Sequence, residues 1–543
     1  MTTVRDAVFE LLRARGVTTV FGNPGSTELP FLRDFPDDFR YVLGLQEAVV
    51  VGMADGHAQA TGTTALVNLH TAPGVGNAMG AVVNAAANHT PMVITAGQQV
   101  RAMMTMEALL TNVDATTLPR PAVKWAYEPP RPQDVPAALA RAFHLAETAP
   151  RGPVFLSLPM DDFDVELDEA GAAAARHAAR RRVTDETAAA GPAVEALAAR
   201  LAAAANPVMV TGGSVDAEGA WDAAVALAEH RGLPVWASPI EGRVGFPEDH
   251  RLYRGVLPPA LAPLAATLDG HDLVLVVGAP VFRYYPYVPG PVLPEGAELV
   301  LLTSDPGEAA RAPVGDALVA GLRPTLERLT ELLDKKEEPG DGGPADASGA
   351  ARPAAPAGEP DTEPMSARTA LAAVAGAAPP DTLWVNESPS NVQIFREVVR
   401  IGRPRSFLTT AGGGLGFGLA AAVGAQLGRP ERPVVALVGD GSAQYAITAL
   451  WTAAACRVPV TFVVPANGEY AILKWFGRFE NTPGVPGLDL PGLDLCALAR
   501  GYGVTAHRAT DAAHLARLVA EATAATDGPV LIEAPVTTVP PTL

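Results

Sequence analysis

Short apolar runs alternate with longer small-residue stretches through the first third of the chain, a rhythm that predicts strand and helix in turn. Val4 to Arg15 reads as a helix, Thr18 to Phe21 and Tyr41 to Leu45 as strands, and Ala48 to Ala60 as a helix. Thr64 to Leu69 is the next strand, Met79 to Ala87 a helix, Met92 to Thr95 a strand and Val154 to Leu158 a late strand. Strands apolar on both faces and separated by helices form a doubly wound parallel sheet, here over residues 1–180.

The rhythm recurs twice. Over 185–335 the strands are Val208 to Val210, Val235 to Ala237, Leu273 to Val277 and Leu299 to Leu302. Gly212-Gly213 after the first of these hints at a nucleotide, but no G-x-G-x-x-G follows and a tight turn explains two glycines equally well. Residues 336–365 turn to Glu-Pro, Gly-Gly and Ala-Pro steps, which bury no core and predict a flexible linker. The region 366–543 returns to strands and helices and ends near a strand at Val530 to Glu533. The chain is therefore α/β, with three doubly wound parallel-sheet domains.

The third region carries the clearest chemistry. Val434 to Val438 leads into Gly439-Asp440-Gly441-Ser442, then a helix from Ala443 to Cys456, then an apolar strand through Val464 that ends in Pro465-Ala466-Asn467-Gly468-Glu469. Strand, crossover helix and strand make a parallel unit, which puts Asp440 and Asn467 on one sheet edge, where α/β sheets bind ligands. A carboxylate, an amide oxygen and a nearby carbonyl are hard donors suited to Mg2+ or Ca2+, and the glycine turn lets a diphosphate approach the following helix. In the first region, Ser26, Glu47 and His70 follow three strands and should share one rim. Each alone has a plain structural explanation: an N-cap, a dipole-complementing acid and a core histidine.

Composition narrows the partners. Hydrophobic residues make up 48% of the 543 and charged residues 18%, as in a compact globular protein. A net charge of −19 argues against nucleic acid and anionic membrane. Cys456 and Cys496 make no disulfide framework, the first residues begin an amphipathic helix, and no apolar run is of membrane-spanning length. A cytoplasmic protein is expected.

The Gly-Asp-Gly turn and the closing Ala466-Asn467 resemble the cofactor motif of thiamine diphosphate-dependent enzymes, which ends in Asn-Asn. The resemblance implies Asp440, Asn467 and the main-chain carbonyl of Glu469 as ligands of a metal that holds the diphosphate, with Gly439, Gly441 and Ser442 beside it. Ala466 replaces the asparagine that is usually not the ligand. Longer stretches, Phe21-Gly22-Asn23-Pro24-Gly25-Ser26, Leu45-Gln46-Glu47-Ala48, Glu107 to Asp114, Gly278 to Tyr284 and Val485 to Asp489, are similar to the benzoylformate decarboxylases. They imply pyrimidine-binding, central and diphosphate-binding domains. They also imply that Glu47 activates the cofactor, Ser26 meets the substrate carboxylate and His70 handles protons. Gly413 would offer its carbonyl to the aminopyrimidine, and Leu415 would wedge the cofactor rings into a bent shape.

Two departures bear on the substrate. The family's second catalytic histidine falls at Tyr285, and a phenol is not the reversible proton carrier near neutral pH that an imidazole is. Thr409 stands where the family has an aromatic pocket residue, while Leu473 and Phe476 keep the apolar lining. The expected activity is non-oxidative decarboxylation of a small-molecule 2-oxo acid, benzoylformate-like, aromatic or related, to an aldehyde and carbon dioxide, with thiamine diphosphate and Mg2+ or, in its place, Ca2+. An acetolactate-synthase-like or acyloin-forming carboligase is the nearest alternative, told apart by accumulation of a hydroxyketone. A non-catalytic binding protein is the second, and it would have no need of Ser26, Glu47 and His70. The family places the cofactor between subunits, which implies a homo-oligomer, at least a dimer and by resemblance a tetramer.

Overall fold

Three all-parallel sheets organise the chain in a computed structural model that describes residues 2–184, 187–334 and 364–537. All but the last two residues of the expected linker lie outside the described residues. In the first sheet the strands run in the order Arg40–Leu43, Thr19–Gly22, Ala65–Leu69, Met92–Gln98, Pro153–Pro159 and Ala126–Tyr127. The chain steps one way from Thr19–Gly22 and then the other, so the order reverses between Thr19–Gly22 and Ala65–Leu69. A crevice opens at the carboxyl ends of strands where such a reversal occurs. The second sheet is ordered Asp316–Val319, Glu298–Thr303, Leu273–Val277, Pro207–Thr211, Val235–Ala237 and Tyr253–Val256. The third contains, side by side, Met365–Ser366, Val530–Thr537, Val460–Ala466, Val434–Val438 and Leu383–Glu387, with Thr505–Arg508 also paired to Val530–Thr537.

By packing, the described residues 2–184, 364–390 and 412–537 form one unit, and 187–334 and 391–411 a second. The first and third sheets share the first unit because two small-residue helices, Glu47–Thr61 and Gly418–Gly428, lie against each other. The approach is too close for side chains: a Cβ on Gly56 would fall 2.1 Å from the Ala421 carbonyl oxygen, and one on Gly424 1.8 Å from that of Met53. Within the second unit a buried cluster joins Glu248, Tyr253 and Arg396, the guanidinium standing 2.7 Å from the carboxylate.

The pattern of elements matches the sequence reading, with three corrections. The second strand ends at Leu43 rather than Leu45, because Gln46 caps the next helix by accepting Val49 N at 3.1 Å, which makes Glu47 the first helical residue. The helix expected from Met79 begins at Thr71. Pro73 falls in its first turn, where N–H groups have no intrahelical partner to lose. The single helix expected over Ala443 to Cys456 is three pieces, Asp440–Ala443, Gln444–Ala446 and Ala449–Ala455, with β-branched Ile447 and Thr448 at the joint. Gly212-Gly213 leads through a tight turn into the short helix Gly213–Ala217, its Gly213 N donating to Glu241 Oε2 at 2.9 Å. Cys456 and Cys496 are free. Among the described residues no helix is long and apolar enough to cross a membrane.

Candidate active site

Three adjacent strands of the first sheet deliver the first half of the site. Arg40–Leu43, Thr19–Gly22 and Ala65–Leu69 are parallel neighbours, so the segments after them, carrying Glu47, Ser26 and His70, leave from one edge at the point where the strand order reverses. Glu47 is buried, yet both of its oxygens are occupied: Asn23 Nδ2 donates to Oε1 at 3.2 Å and Asn77 Nδ2 to Oε2 at 3.1 Å. Two amides fixing one carboxylate exceed what a helix-dipole role needs. Glu47 and His70 both flank Gly74, whose Cβ position lies 3.3 Å from His70 Cβ and 3.5 Å from Glu47 Oε1. Ser26 is exposed at the start of a short helical turn.

His70 is held from behind. Its Nδ1 lies 3.0 Å from Glu28 Oε2 and 3.1 Å from Thr27 Oγ1. Glu28 is itself buried and accepts Gly25 N at 2.7 Å and Gly97 N at 2.9 Å. The backbone at Gly25 passes so close to the imidazole that a Cβ there would fall 2.1 Å from Nδ1. Sequence reasoning missed Glu28, Asn23 and Asn77 as site residues. For Glu28 the available signal was its place three residues after Gly25, the spacing of a capping acid.

The third sheet supplies the second half. Asp440, buried at the end of Val434–Val438, accepts Gly441 N at 2.8 Å on Oδ1, and Asn467 N at 3.0 Å and Gly468 N at 2.7 Å on Oδ2. Burial pushes its carboxyl above the ordinary range, while these main-chain donors pull it down. Asn467 Oδ1 accepts Glu469 N at 3.1 Å. Asp440 and the 467–469 turn are thus in contact, as the sequence reading required, and their oxygens are a donor set that fits a hard divalent cation. Gly439 and Ser442 flank the carboxylate. Gly413 has the left-handed φ of 72°, and Asn84 of the first sheet's layer grips the next residue through both its amide atoms, at 2.9 Å to Gly414 O and 3.1 Å to Gly414 N. Leu415 is half-buried immediately after it. On the helix Ala471–Phe479, Leu473 is exposed and Phe476 half-buried.

Tyr285 and Thr409 belong to the second unit. There Tyr285 N donates to Pro259 O at 2.6 Å and Thr409 N to Gly242 O at 3.0 Å, and Tyr285 is exposed.

Known proteins resemble the chain along its length. Residues 2–118 match the family described as thiamine pyrophosphate enzyme, N-terminal TPP binding domain; 194–329 match the central domain and 390–534 the C-terminal TPP binding domain. The benzoylformate decarboxylase of Pseudomonas aeruginosa is 51% identical over the whole of both chains. The thiamine diphosphate-dependent 4-hydroxybenzoylformate decarboxylase of Rhodococcus jostii RHA1 superposes with a TM-score of 0.93 at 47% identity, covering 99% of this chain and 100% of that one. The benzoylformate decarboxylase of Polynucleobacter necessarius gives 0.94 at 42% identity, covering all of both. This chain belongs to the thiamine pyrophosphate enzymes, as a benzoylformate decarboxylase-like member.

Proposed function

We propose that the protein decarboxylates an aromatic 2-oxo acid of the benzoylformate type, releasing an aldehyde and carbon dioxide, with thiamine diphosphate held through Mg2+, for which Ca2+ could substitute. The observation that carries this reading is the convergence of Ser26, Glu47 and His70 on one rim, with Glu47 fixed by two amides and His70 backed by a carboxylate. A protein that merely bound the cofactor would need none of this proton-handling apparatus.

When bound, thiamine diphosphate supplies the nucleophilic carbon that adds to the keto group and the electron sink that receives the electrons left by carbon dioxide. The chain's own residues position and protonate. Asp440, Asn467 and the Glu469 carbonyl would hold the metal, and the Gly439-Asp440-Gly441-Ser442 turn would receive the diphosphate. The Gly413 carbonyl would accept from the aminopyrimidine and Leu415 would pack against the cofactor. Glu47 would exchange a proton with the aminopyrimidine nitrogen. Ser26 donates its hydroxyl to the substrate carboxylate, and the His70 imidazole gives and takes the proton at the reacting centre. Leu473 and Phe476 would line the substrate side with apolar surface.

The working form is a homo-oligomer, at least a dimer and by family a tetramer. Apolar Leu109, Met106 and Val113 are exposed, which a second copy would explain. A second reading, acyloin formation, is favoured by Tyr285, which replaces a proton donor that would otherwise compete with an aldehyde acceptor. The test is to incubate the loaded protein with a panel of aromatic and aliphatic 2-oxo acids, following carbon dioxide and organic products. Aldehyde from aromatic substrates supports the main reading. Hydroxyketone as the principal product selects the second, and no carbon dioxide from any substrate sinks both.

A further inference from the structure

Glu387 ends the strand Leu383–Glu387, beside Val438, and is almost wholly buried. Its carboxylate takes three main-chain donors: Gly416 N at 2.6 Å and Phe417 N at 3.1 Å on Oε1, and Gly418 N at 2.8 Å on Oε2. Gly418 opens the helix to Gly428, whose own N-cap, Phe417, provides no side-chain acceptor. The first N–H of that helix and the two just before it are therefore satisfied from a strand residue. The contact is closed to any other arrangement, since a Cβ on Gly418 would fall 2.8 Å from Glu387 Cβ. The main-chain carbonyl of the same residue accepts Gly439 N at 3.0 Å, immediately before Asp440.

One residue thus grips two segments at once. Its carboxylate holds the chain just after Gly413 and Leu415, and its carbonyl holds the turn that begins the metal-and-diphosphate motif. We propose that Glu387 is a positioning residue for thiamine diphosphate, setting the spacing between the Gly413–Leu415 loop and the Asp440 turn so that the two can hold one cofactor. This rests on the assignment of those segments to the cofactor. A helix that needed only a cap would be served by serine or aspartate at its own N-cap, without the desolvation of a carboxylate in the core. Here burial pushes the Glu387 carboxyl up to about 7, even against three N–H donors. A group retained at that cost is tied to geometry rather than to helix stability.

Glu387→Gln keeps the shape but halves the acceptor oxygens, and Glu387→Asp keeps the charge but shortens the reach. The full-length chain, freed of cofactor, is titrated with thiamine diphosphate at saturating Mg2+ by calorimetry, with amide hydrogen exchange read at Gly416, Phe417 and Gly418. The expected result for Glu387→Gln is faster exchange at these amides and affinity for thiamine diphosphate weaker by about tenfold or more, the scale of one lost charge-assisted hydrogen bond. Faster exchange with unchanged affinity overturns the proposal and leaves Glu387 a helix cap. Should the glutamine variant fail to fold, Glu387→Asp is read by the same two outcomes. In the wild type, adding thiamine diphosphate should slow exchange at the three amides, and no slowing also overturns the proposal. Asp440→Ala is titrated in parallel: normal binding there defeats the cofactor-site assignment itself, whereas loss there with normal binding in Glu387→Gln defeats only the role of Glu387.

Discussion

Glu28 Oε2 stands 3.0 Å from His70 Nδ1, so one ring nitrogen of the histidine is turned to a buried carboxylate. The carboxylate is fixed in turn by Gly25 N and Gly97 N, and Thr27 Oγ1 donates to its other oxygen at 2.7 Å. An imidazole oriented in this way has a defined donor and acceptor side, which a freely rotating one lacks.

Glu28→Ala should therefore impair turnover more than substrate or cofactor binding. We expect kcat on an accepted 2-oxo acid to fall by about tenfold or more, with KM changed far less, because general acid–base groups contribute through position as well as presence. Steady-state kinetics beside cofactor titration checks this. A rise in KM with kcat intact would make Glu28 a binding or folding residue instead.

Glu47→Gln should keep the cofactor and lose most activity, since a neutral amide can still meet Asn23 and Asn77 in some rotamer but cannot exchange a proton. The measurement is hydrogen–deuterium exchange at the reactive carbon of the bound cofactor, alongside calorimetric affinity. Exchange at the wild-type rate would reduce Glu47 to a residue that complements the start of the Glu47–Thr61 helix.

What the sequence made legible were the groups whose position follows from a strand end: Asp440, Asn467, Glu47, Ser26 and His70 all stand just past apolar runs, and alternation with helices puts such ends on one edge. The groups it hid act through partners remote along the chain. Asn84 meets Gly414 across 330 positions, and Glu387 closes on a turn 29 to 31 residues later. Asn77 is hidden for a local reason: the helix that carries it begins at Thr71, well before the small-residue stretch from Met79 that signals it, with Pro73 in its first turn. The glycines of Gly56 and Gly424 likewise gave no periodic signal of the helix pair they allow, since close backbone approach is a property of two segments and not of either.

The titration of Glu387 gives a stability prediction. Its carboxyl is raised by burial from 4.5 to about 7, so the folded chain binds that proton more tightly than the unfolded chain does. The stability it contributes is then fully present below the unfolded value and is lost as pH rises through about 7. Glu387→Gln stays neutral throughout, and other titrating groups cancel in the comparison. Between about pH 4.5 and pH 8, wild type should lose up to about 3 kcal/mol relative to the glutamine variant. Urea unfolding of cofactor-free protein across that range measures the difference, and a pH-independent gap would show that the three N–H donors offset the burial completely.

Tyr285 should tilt the balance between aldehyde release and hydroxyketone formation. The phenol lies exposed in the second unit, at the position where the family carries a histidine. If His70 alone handles protons after carbon dioxide leaves, the reaction slows at the step that would release aldehyde, and an added aldehyde or 2-oxo acid has time to capture the remaining fragment. The wild-type protein should then form more hydroxyketone per aldehyde than Tyr285→His does, with the substitution raising aldehyde release on aromatic 2-oxo acids. An effect of about threefold or more in the product ratio is expected, less than the 10²–10⁴-fold span of a full general acid because water and His70 still deliver the proton. Product ratios measured by chromatography at excess acceptor provide the check, and equal ratios in the two proteins would confine Tyr285 to shaping the pocket.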